Sequence, residues 1–84
     1  MLESTKALRK ALKNKIQIED QTIVRWTSAE RYVYVAIFIA SQDAWFTTGD
    51  NYFVEPRMEA DEFLSMLSRS DVTDVEVAVS WEAV

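Results

Sequence analysis

The chain has 84 residues, room for one domain with one core, and its 49% hydrophobic and 12% aromatic content excludes a disordered tail. Without cysteine or histidine it has no disulfide framework, thiolate or imidazole metal site, thiol nucleophile or His-dependent triad, and a single Gly excludes glycine-rich nucleotide loops. The net charge of -5 is split: residues 1–15 carry five basic side chains against Glu3, a net of +4, and the remainder carries -9.

The first predicted element is a helix over about Thr5 to Lys15. Leu8, Ala11 and Leu12 recur at helical spacing as a narrow apolar stripe, with Lys6, Arg9, Lys10 and Lys13 gathered on the other side. Basic residues late in a helix suit its dipole, but Lys6 does not, so helix stability alone does not account for the cluster. Such a face is either an ordinary solvated surface or a site for phosphate contacts that carry no sequence information.

Thr22–Trp26 reads as a short strand and Thr27-Ser28-Ala29-Glu30 as a turn. Arg31–Ala40 is the strongest strand signal, with Val33, Val35, Ile37 and Ile39 on one side and Tyr32, Tyr34, Ala36 and Phe38 on the other. Apolar residues on both sides predict a central strand whose Val/Ile side lies beneath at least one helix. If both helices cover that side, Tyr32, Tyr34 and Phe38 are left for a protein partner or a second copy; otherwise they are core. An aromatic row could also stack on single-stranded bases, but the charge around it is acidic.

Ser41-Gln42-Asp43 is a polar turn, Ala44–Thr48 a third strand and Gly49-Asp50-Asn51 a loop. Tyr52–Glu55 reads as a further extended piece stopped by Pro56. A second helix follows over about Glu59 to Arg69, with Ala60, Phe63, Leu64 and Leu67 on its apolar face and Glu59, Asp61 and Glu62 at its start. From Asp74 onward, Val75, Val77, Val79, Trp81 and Ala83 alternate with more polar residues as a half-buried strand with an acidic outer side. The predicted order is α-β-β-β-α-β: one α+β domain over residues 1–84, a mainly antiparallel sheet with two helices, in which the last strand could return beside the first.

Asp43 with Asp50 and Asn51 lacks the spacing of a calcium loop, and Glu55, Glu59, Asp61 and Glu62 are explained by helix-start charge, so no metal, cofactor or catalytic residue is expected. Absence of cysteine suits a reducing, cytoplasmic setting. The polar residues after Met1-Leu2 predict no secretory leader, and the longest apolar run, Val33–Ala40, is too short for a membrane span. The basic helix has too little bulky apolar surface to anchor on a membrane.

The stretch Ala44-Trp45-Phe46-Thr47-Thr48-Gly49-Asp50-Asn51-Tyr52-Phe53 and the ending Asp71-Val72-Thr73-Asp74-Val75-Glu76-Val77-Ala78-Val79-Ser80-Trp81-Glu82, about half the chain, resemble small uncharacterised proteins encoded by bacteriophages of actinobacteria. The resemblance implies expression in a bacterial host cytoplasm and binding to a host or phage protein, and it carries no functional residues. The functional expectation is therefore a small non-catalytic protein-interaction module. The alternative is a nucleic-acid-associated protein using Lys6, Arg9, Lys10 and Lys13, or an acidic body that imitates nucleic-acid phosphates.

Overall fold

A computed structural model describes residues 5–14, 18–51 and 54–78. They form α1 (Thr5–Asn14), β1 (Ile23–Ser28), β2 (Tyr32–Ile39), β3 (Ala44–Thr47), β4 (Arg57–Met58), α2 (Ala60–Leu67) and β5 (Val72–Val77). The strands make one antiparallel sheet in the order β4-β3-β2-β1-β5, an α+β fold with β2 at its centre. Four strands run as a meander, and β5, entering after α2, pairs beside β1.

Element boundaries differ from expectation at three places, the first being that β1 runs on through Thr27 and Ser28, two residues expected in the turn. Pro56 does not end the extended region: β4 follows it, with Trp45 opposite Met58 and Phe46 opposite Arg57. Having no N–H, Pro56 takes part through its carbonyl, which accepts from Thr47 N at 2.9 Å. The last strand begins earlier, at Val72, and is irregular at Asp74, which adopts φ 52° where the register against β1 shifts. Tyr52 and Phe53 of the expected extended piece, Lys15 of the expected helix, and Val79, Trp81 and Ala83 of the expected last strand lie outside the described residues.

The sheet turns its aromatic side, not its Val/Ile side, toward the helices. In register, Trp26 stands opposite Tyr34, Val24 opposite Ala36, and Phe38 opposite Trp45. These residues pack with Leu8 and Leu12 of α1 and Phe63, Met66 and Leu67 of α2. Phe63 is fully buried, stacked on Trp45 with ring centroids 4.3 Å apart and edge-on to Trp26 at 5.6 Å. Tyr34 extends the cluster on Trp26 and Phe38 on Trp45.

The expectation that a helix would lie over Val33, Val35, Ile37 and Ile39 is thus overturned, for two reasons. Each aromatic side chain brings about 150–250 Å² to a core, more than a β-branched one, and β1 and β3 add two tryptophans to the aromatic side. The other side carries Arg25 directly beside Val35, and Glu76 beside Arg25. Covering it with helices would desolvate charges at a cost of several kcal/mol, on the order of the whole stability of a small domain.

Local chemistry holds the connections. Glu59 and Glu62 form a capping box at the start of α2, with Glu62 accepting from the Glu59 N–H at 3.0 Å. Gly49 is required by close approach: a β-carbon there would come within 2.2 Å of the Val54 side chain and 2.8 Å of its carbonyl oxygen. Asn51 closes the same loop by accepting from Val54 N at 2.9 Å while its amide donates to the Tyr34 hydroxyl at 3.1 Å. The β1–β2 turn places Ala29 and Glu30 at φ 52° and 60°, a conformation that suits Asn and Gly better than either residue present.

Two stability measurements follow. Phe63→Ala, which empties the space between two tryptophans, should cost about 3–5 kcal/mol in urea unfolding, the usual range for a buried Phe. Replacing Ala29-Glu30 by Asn-Gly should raise stability by about 1 kcal/mol, because it removes left-handed strain. An unchanged or lowered urea midpoint for that double variant would contradict the turn geometry.

Candidate interaction surface

With both helices on one side, the other side of the sheet is open among the described residues. Its centre is the outward row of β2, Val33, Val35, Ile37 and Ile39. The register sets Ile23 of β1 beside Ile37 and Phe46 of β3 on the far side of Ile37. Val33 is 62% exposed, Ile23, Val35, Ile37, Ile39 and Phe46 are half-buried, and Ala44, opposite Ile39, is fully buried.

Arg25 and Glu76 cross the β1–β5 seam as an ion pair of 2.9 Å, with both side chains more than half exposed. A pair so wetted contributes little to stability. It divides two shallow grooves, one of about 350 Å³ lined by Ile23, Val35, Val77 and Ala78, and one of about 520 Å³ lined by Thr27, Val33 and Asp74. The surface is an apolar strip with a polar margin, where Arg25 stands against both Glu76 and Asp74.

The sheet edges are poor alternatives for docking. β4 has only two residues, and β5 is interrupted at Asp74 and carries Asp74 and Glu76, features that discourage strand addition.

The aromatic residues expected at a partner site divide. Phe38, 8% exposed, is core, and Tyr34 is stacked on Trp26 with its hydroxyl held by Asn51, so neither is a free docking residue. Tyr32 alone stands out, 51% exposed near the β1–β2 turn, with the Arg31 guanidinium carbon 5.0 Å from its ring centroid. The row ceases to be a surface because Trp26 and Trp45 bring the helices to it. The signal that could have shown this is the polar residue between Val24 and Trp26: Arg25 marks its own side of β1 as outward, and pairing transfers that assignment to Val35.

The basic helix is also divided. Arg9 reaches across to α2 and donates to the Leu67 carbonyl at 3.1 Å, one of the carbonyls left open at that helix end. It is a bond between the helices made by one guanidinium nitrogen of the half-buried Arg9. Lys6, Lys10 and Lys13 remain exposed on α1.

Among the acids, Asp43 and Asp50 lie at opposite ends of β3, so they do not converge. No group of three or more acidic ligands suited to a metal occurs among the described residues. No helix among them is long and apolar enough to cross a membrane. Asp71 braces the connection from α2 to β5, where Arg69 donates to its two oxygens at 3.0 and 3.2 Å and the Ser28 hydroxyl lies at 3.4 Å. The Arg69 hydrogen bonds hold its carboxyl below the ordinary value of 3.8, against a smaller opposing effect of desolvation.

Comparison with family models, with curated proteins and with solved structures gives no match.

Because the folded Asp71 holds its proton less tightly than the unfolded chain does, its contribution to stability is complete above the ordinary carboxylate value. It is lost as pH falls through the lowered folded value. The stability gap between wild type and Asp71→Asn should therefore be largest near neutral pH and narrow below about pH 4. A gap independent of pH in urea titrations would remove the Arg69–Asp71 assignment. Arg9→Gln should lower stability by about 1 kcal/mol, whereas Lys10→Gln should leave the urea midpoint within error.

Proposed function

We propose that the chain is a non-catalytic protein-interaction module that docks a protein partner on the open Val/Ile face of its sheet. The observation that supports this most directly is the outward row of β2. An antiparallel strand with one side in water normally alternates apolar with polar residues, yet Val33, Val35, Ile37 and Ile39 are all aliphatic, with Ile23 and Phe46 beside Ile37. Contiguous apolar surface of this kind marks an interaction site. The grooves beside it offer aliphatic walls, the Arg25–Glu76 pair, Thr27 and Asp74, a lining suited to a protein surface. The resemblance to phage proteins would make the partner a host or phage protein in a bacterial cytoplasm, and the module its modulator.

The alternative is a nucleic-acid contact through α1, where Lys6, Lys10 and Lys13 are exposed and Arg9 also bonds α2.

The test is affinity capture from the native cell with three proteins: wild type, Val33→Glu/Val35→Glu, and Lys6→Gln/Lys10→Gln/Lys13→Gln. Val35 stands opposite Arg25, so a glutamate there gains a cationic neighbour and the fold should persist, which circular dichroism checks. Capture of a protein should fall at least about tenfold in the glutamate variant and stay unchanged in the glutamine variant. Equal capture by wild type and glutamate variant would exclude the face. Salt-sensitive nucleic-acid binding lost only in the glutamine variant would favour the alternative instead.

A further inference from the structure

We draw no further inference here: the strongest candidate, the open side of the sheet along Val33, Val35 and Ile37 of β2, belongs to the surface already described, and nothing in the structure shows what covers it.

Discussion

Phe63 descends from α2 into the space between Trp26 on β1 and Trp45 on β3, and the arrangement of the whole molecule depends on that insertion. The two tryptophans lie on strands either side of β2, and Ala36, between Tyr34 and Phe38 on β2, is small enough to leave room above the centre of the sheet. A ring stacked at 4.3 Å on one tryptophan and set edge-on at 5.6 Å to the other ties α2 to two strands at once, one on either side of β2. The indole N–H groups of Trp26 and Trp45 are buried without a hydrogen-bond partner among the described residues. An unmet donor costs about 1–3 kcal/mol, so the packing of this cluster has to outweigh a real penalty.

Once the aromatic side is committed to the core, the rest of the architecture is constrained. α1 lays Leu8, Ala11 and Leu12 against the same side, and Arg9 bonds the end of α2, so both helices share one layer. The opposite side of the sheet then has nothing over it among the described residues, although β2 presents only aliphatic groups there. Its openness is a consequence of which side holds the tryptophans. The Val/Ile row is sticky enough to bind and too small, with Arg25 and Glu76 beside it, to compete for the helices.

The same constraint redistributes the charged residues. The basic cluster on α1 is partly an interhelical bond and partly a solvated face, and the acids Glu59, Glu62 and Asp71 serve helix and turn structure. What is left over for recognition is mainly apolar, with Asp74 beside the Arg25–Glu76 pair. That favours a protein surface over phosphate as the partner chemistry, because phosphate binding draws on clustered cations that the described fold has in part spent.

The sequence by itself determined the α+β class, the position of both helices and the central place of β2, and it marked the last strand without fixing its neighbour. Each of these follows from local periodicity: Leu8, Ala11 and Leu12 at helical spacing, ten alternating residues over Arg31–Ala40, and Val75 and Val77 among acids. It also determined that histidine and cysteine chemistry is excluded, since composition alone decides that. The short strand after Pro56 had no pattern to show, because two residues carry no period. Only the tertiary structure decided which side of β2 is inside, because a strand apolar on both sides contains no preference of its own. That choice is made by neighbours brought into register from distant positions, Trp26 and Trp45 on one side and Arg25 and Glu76 on the other. It turned Phe38 from a candidate contact into core, packed Tyr34 against that core, and left Val33, Val35 and Ile37 on the other side.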